Sequence, residues 1–157
     1  MLGELNTDEI RKLLQRNVIG RIGCTDGVEV IILPINYRYE QNSLLCYSLE
    51  GHKVNLMRKN NSVCFEVDEI VRSNDWKCVV INGVFEEITD ESELSELRPY
   101  YTEYMLRKKV SLTALPARDQ DSPAQTQSHS AQVFYRIRFG KVSGRFESPD
   151  SGMSSNE

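Results

Sequence analysis

Basic charge is scarce in this chain: 19 Lys and Arg face 23 Asp and Glu, for a net charge of −4. A nucleic-acid backbone needs a basic surface to displace its counterions, so nucleic acid is not expected as the main partner. Long apolar runs are missing too. No stretch approaches a membrane span, and the start, Met1 to Asn6, lacks the basic region and apolar core of an export signal. Cysteine and histidine are few. Cys24, Cys46, Cys64, Cys78, His52 and His129 form neither a C-x-x-C pair nor a metal-ligand spacing. No metal is expected, and the thiols read as buried and reduced, which fits a cytoplasmic protein without membrane attachment.

What is present suffices for one domain, since 157 residues with 39% hydrophobic composition can bury a real core. Asn6 or Thr7 caps a short first helix, with Glu9 completing a capping box and Ile10, Leu13 and Leu14 forming an apolar stripe. Val18 to Thr25 and Val28 to Tyr39 flank Asp26-Gly27, a dipeptide suited to a tight hairpin. In the second of these strands Ile31, Leu33, Ile35, Tyr37 and Tyr39 alternate with Ile32, Pro34, Asn36 and Arg38, so one face is core and the other available. Pro34 donates no ladder bond, which predicts an edge, bulge or gap there.

A strand, a turn and a helix follow over 44–60, then a strand over 62–69 and another from Trp76 to Ile88, where Gly83 predicts a bend or bulge. Thr89 or Asp90 caps an acidic helix carrying Leu94, Leu97, Tyr101, Tyr104 and Met105 near one face. It is expected to break near Pro99 and to pack over a barrel end. Residues 116–132 read as a long surface loop, Val133 to Phe139 as a last strand, and 148–157 as a Ser-rich tail. At least six strands with few helices and hairpin connections predict a mainly β fold over 1–147, an antiparallel barrel closed or nearly so.

The segment 44–60 carries the chemistry. A helix start leaves backbone N–H groups unpaired at the positive end of the dipole, where an anion gains hydrogen bonds and field together. Ser48 adds a hydroxyl and Lys53 a point charge. The same pattern also describes an ordinary strand-to-helix turn, with Gly51 there for its dihedrals and the basic residues solvated. Local pattern alone leaves both readings standing.

Five motifs in order then become recognisable: Ile19-Gly20-Arg21-Ile22-Gly23, Leu33-Pro34-Ile35-Asn36-Tyr37, Glu50-Gly51-His52-Lys53, Leu56-Met57-Arg58-Lys59-Asn60 and Val63-Cys64-Phe65-Glu66-Val67-Asp68. Together they resemble the flavin-binding split-barrel family, within it the pyridoxamine 5'-phosphate oxidase-like branch that includes the nitroimidazole-resistance proteins. The resemblance implies a six-stranded antiparallel split barrel, paired as a homodimer with FMN in two clefts at the subunit interface. FAD stays open as an alternative. Leu33, Pro34, Ile35 and Asn36 would run beside the isoalloxazine ring, and Ser48, His52 and Lys53 would hold the phosphate. Trp76 precedes a strand that borders the second flavin face in relatives, where a serine often follows; here Lys77 and Cys78 stand instead.

Each of these residues has a plainer role as well. Trp76 can be a rim or core residue, His52 a solvated turn residue, and Arg58 and Lys59 a solvated face or a contact with the partner subunit. Glu66 and Asp68 share an outward strand face, ordinary for acids there, and no cysteine has an activating neighbour in sequence. The cofactor would carry the chemistry, so no side chain is named as the catalyst. Three functions follow in order. The first is an oxidoreductase passing electrons from NAD(P)H to a small acceptor such as a 5-nitroimidazole. The second is a flavin-binding carrier or redox sensor without turnover. The third is pyridoxamine 5'-phosphate oxidase, disfavoured because Phe134 to Lys141 lacks the Arg-x-His motif.

Overall fold

The computed structural model describes residues 1–116 and 132–149, in which one antiparallel sheet carries three α-helices and a short 3-10 helix, Leu112–Ala114. The chain runs β1 (Leu2–Glu4), α1 (Thr7–Arg16), β2 (Ile19–Thr25), β3 (Val30–Asn36), β4 (Arg38–Glu40), β5 (Ser43–Leu49), α2 (His52–Lys59), β6 (Ser62–Arg72), β7 (Asp75–Ile88), α3 (Glu91–Arg107) and β8 (Gln132–Glu147). The sheet order is β3-β2-β6-β7-β8-β5-β4, with β1 paired to β8. Its two outermost strands, β3 and β4, are consecutive in the chain and separated by Tyr37 alone. The sheet must therefore curl until its edges meet, which closes the barrel covalently where the ladder is split. Counting β3 and β4 as one interrupted strand leaves the six expected strands plus β1, which the sequence reading missed.

Tyr37 pins this seam. It is fully buried, its backbone N–H donates to Val18 O at 2.9 Å, and its hydroxyl donates to Leu14 O at 2.8 Å. Its ring meets Phe65 edge-on at 5.0 Å between centroids. Pro34 lies on an edge strand, where a missing N–H costs least. The core alternation holds at Ile35 and Tyr37, but Leu33, placed by pattern on the same face, is 41% exposed because an edge strand is covered from one side only.

The helices take different positions. Asn6 caps α1 through a capping box, its Oδ1 accepting from Glu9 N–H at 2.9 Å while Glu9 Oε2 accepts from Asn6 N–H at 2.8 Å. Leu13 and Leu14 then join the barrel interior. By contrast, α3 lies against the outer wall, not over an end. Leu44 and Cys46 of β5 face inward, whereas Leu45 of β5 and Phe134 of β8 form a second cluster with Leu94, Leu97, Tyr101 and Met105. Helix α3 also runs unbroken through Pro99; its buried stripe, continuous on both sides, outweighs a cost of about 3 kcal/mol.

One irregularity was readable and one was misjudged. Gly83 lies where the β7–β8 register shifts, and a Cβ there would sit 2.6 Å from Arg138 O. The β2–β3 connection is a four-residue loop over 26–29, with the Asp26 carboxylate accepting from Val28 and Glu29 N–H and Gly27 at φ 99°, in place of a tight two-residue hairpin. Most of the expected 116–132 loop and of the 148–157 tail lies outside the described residues. Among the described residues no helix is long and apolar enough to cross a membrane.

Candidate functional site

Strand β5 ends at Leu49, and the turn Glu50-Gly51 delivers the chain into α2. Asn6 and Asp90 spend their side chains capping α1 and α3, but α2 has no side-chain cap. Its first intrahelical bond runs from Asn55 N–H to Gly51 O, so the N–H groups of His52, Lys53 and Val54 have no partner within the helix. Gly51 is extended, a conformation any residue adopts, and nothing lies within 4 Å of a Cβ built on it. What glycine leaves there is open space, and its dihedrals do not require it.

Lys53 is half-buried beside this uncapped start, and among the described residues it makes no ion pair with a carboxylate. Burial depresses its pKa, with the Cys46 and Cys24 thiols pulling weakly the other way. Lys53 is the second residue of α2, so a partly desolvated cation and the unpaired N–H groups belong to the same first turn, a combination that can favour an anion. Lys53 is thus partly withdrawn from solvent. His52 differs: it is exposed, and its Nε2 lies 2.8 Å from Glu29 Oε2. Ser48, half-buried, donates from Oγ to Leu49 O at 3.1 Å.

The other expected residues are spread along the sheet. Glu29 immediately precedes β3, so β3 starts beside His52 and carries Leu33, Pro34, Ile35 and Asn36 progressively away along the open edge. Ile35 anchors this strip in the core, while Pro34 is exposed and Asn36 half-buried. Trp76 is not brought to this place. Ser48 pairs with Val133 and Trp76 with Glu147, at opposite ends of β8, and the indole N–H donates to Glu147 Oε2 at 2.9 Å.

Outside the barrel, the faces of β2, β3, β6 and β7 form a concavity of about 670 Å³ lined by Val30, Ile32, Cys64, Asn82 and Val84. Cys64 is thus exposed, against the expectation of four buried thiols, because its neighbours Val63 and Phe65 take the core face. Beside it, Arg21 Nη1 donates to Glu66 at 3.3 Å and Asp68 at 3.1 Å, and Cys78 Sγ donates to Glu66 Oε1 at 3.4 Å. Burial, reinforced by Glu66, pushes the Cys78 thiol up to about 12, so it is a neutral donor and no nucleophile.

Two pairings near α2 escaped the sequence reading: Glu29 engages His52, and Arg58, exposed as a solvated face would be, bridges Glu50 and Glu87. An acid within a tight loop and an acid just before a helix start were the available signals, but neither has meaning until the fold sets the pairs.

The profile of the pyridoxamine 5'-phosphate oxidase family matches residues 6–146. An uncharacterized protein of Rhizobium meliloti is 25% identical over 141 residues, covering 90% of this chain and 92% of its own length. A crystal structure of an FAD-binding protein from Mesorhizobium loti superposes with a TM-score of 0.74 at 27% identity, covering 95% of this chain and 98% of that one. The FAD-binding protein from Mycobacterium smegmatis gives 0.61 at 25% identity over 92% and 98%. A candidate 5-nitroimidazole antibiotic resistance protein from Bacteroides thetaiotaomicron shares the fold, with a TM-score of 0.66 at 17% identity over 93% and 87%. With a family match spanning nearly the whole described barrel, this chain belongs to the pyridoxamine 5'-phosphate oxidase family.

Proposed function

We propose that this chain is a flavoprotein oxidoreductase that holds FMN and passes electrons from NAD(P)H to a small acceptor, with 5-nitroimidazole-type compounds as the class to test first. The observation that carries the reading is the half-buried Lys53 ammonium, unpaired among the described residues, beside the uncapped start of α2. Lys53 Nζ and the N–H groups of His52, Lys53 and Val54 would hold the terminal phosphate, with room left by Gly51. Along the open edge of β3, Leu33 to Asn36 offer backbone groups not spent on a second strand neighbour, suited to the polar edge of a flat ring. A bound flavin supplies the two-electron chemistry; the chain binds it, orients it and shapes access to it. Two relatives described as FAD-binding proteins lend support, and FAD shares the flavin and its proximal phosphate.

The protein acts as a homodimer in this reading. Val30, at 70% exposure, and Ile32, at 68%, line the outer concavity, a patch that a second copy would cover. Pairing would also let Trp76 of one subunit approach the β3 edge of the other, which the fold of a single chain does not allow. Pyridoxamine 5'-phosphate turnover is disfavoured despite the family name. Arg136 is committed to Glu40 and Glu93, and Arg138 to Glu86, so the C-terminal strand offers no free arginine pair for a second phosphate.

The test is the visible spectrum of purified protein after FMN loading and removal of excess, beside Lys53→Ala, followed by anaerobic NAD(P)H. Stoichiometric flavin that is weakened by the substitution and bleached by the nicotinamide supports the proposal. Flavin retained but never reduced would move the chain to the carrier or sensor class, and no flavin retention would defeat the reading.

A further inference from the structure

Arg58 is the last residue but one of α2, yet its guanidinium reaches back to the residue before the N-cap. Nη1 and Nη2 donate to the two Glu50 carboxylate oxygens at 2.7 Å each, a parallel fork, and Nε donates to Glu87 Oε1 of β7 at 2.9 Å, with Nη2 also on Glu87. Three elements are tied by one side chain: the β5–α2 turn, the helix and the neighbouring strand. The fork also holds the Glu50 carboxyl below its ordinary range, keeping it ionised and occupied.

We propose that Arg58 is a positioning residue for anion binding, clamping Glu50 and Glu87 so that the uncapped start of α2 presents its N–H groups at a fixed angle with the Glu50 carboxylate held aside. Isolated surface ion pairs contribute little, but a bidentate Arg–carboxylate fork sharing a third element fixes geometry as well as charge. Helices α1 and α3 organise their starts with side-chain caps that occupy their own N–H groups. In α2 the clamp does the organising from outside and leaves those groups for a ligand. Lysine cannot replace arginine here, because a point charge does not make the fork.

The inference rests on the anion site proposed above, and the experiment separates the two. Dissociation constants for FMN and for riboflavin, which lacks the phosphate, are measured by flavin fluorescence on the full chain for wild type, Lys53→Ala, Arg58→Lys and Glu50→Gln. Arg58→Lys keeps the charge and Glu50→Gln removes a negative charge near the phosphate. A purely electrostatic role therefore predicts no change for the first and tighter FMN binding for the second. The clamp predicts weaker FMN binding for both, by about tenfold, with riboflavin within about twofold of wild type. Unchanged or tighter FMN binding in both variants, with Lys53→Ala impaired, would overturn the clamp alone. An equal loss for FMN and riboflavin would reduce Arg58 to a general structural role and likewise overturn it. If Lys53→Ala also binds FMN normally, the anion site itself is wrong and the clamp falls with it.

Discussion

His52 Nε2 and Glu29 Oε2 meet at 2.8 Å, joining the first residue of α2 to the loop that leads into β3. The histidine expected from sequence to hold phosphate is thus engaged with a carboxylate, and its side chain is 61% exposed. Its backbone N–H is untouched by that bond. We expect His52→Ala to weaken FMN binding by no more than about threefold, and Lys53→Ala by at least about tenfold. Equal losses in a fluorescence titration would return His52 to the direct phosphate set.

Lys53 imposes a pH dependence whose two signs are opposite. Burial holds its pKa below the ordinary lysine value of 10.5. A phosphate prefers the ammonium, so FMN binding should be strongest below that lowered pKa and should fade as pH climbs through it. In the unliganded protein the charged, desolvated form costs stability, so the fold gains stability as pH rises from the folded pKa towards the unfolded one. FMN titrations and thermal melts from neutral to alkaline pH should show the two slopes, and Lys53→Met should abolish both.

Gly83→Ala tests the bulge. The new methyl would lie 2.6 Å from Arg138 O and 2.7 Å from Ile137 Cγ2, both in the wall of β8. Overpacking of this kind costs about 1–3 kcal/mol, read as a lower denaturant midpoint. A midpoint equal to wild type would mean that the β7–β8 register slides to make room.

Tyr37→Phe tests the barrel seam. The ring stays packed on Phe65 while the bond to Leu14 O is lost, which should cost about 1 kcal/mol. Loss of the whole ring in Tyr37→Ala should cost about 3–5 kcal/mol and separate seam packing from the hydroxyl in urea unfolding.

Local chemistry was legible in the sequence wherever the physics is local. The Asn6–Glu9 capping box, the core alternation at Ile35 and Tyr37, the bulge at Gly83 and an edge at Pro34 each depend on neighbours a few residues away or on one backbone group. The helix start at Gly51-His52-Lys53 belongs with them, because unpaired N–H groups and a nearby lysine are properties of a single turn.

What only the tertiary structure decided is which distant groups meet. Curling the sheet joined β3 to β4 at Tyr37 and put α3 on the outer wall, where Leu45 and Phe134 needed cover. It set Trp76 at the far end of β8 from Ser48, tied His52 to Glu29 and folded Arg58 back onto Glu50 and Glu87. Charge pairs and wall contacts have no period in the sequence; they exist only once strand register and curvature have fixed the distances. The residue types at 48–53 suggested an anion site, and the fold determined that the Lys53 side chain is half-buried with no ion-pair partner among the described residues.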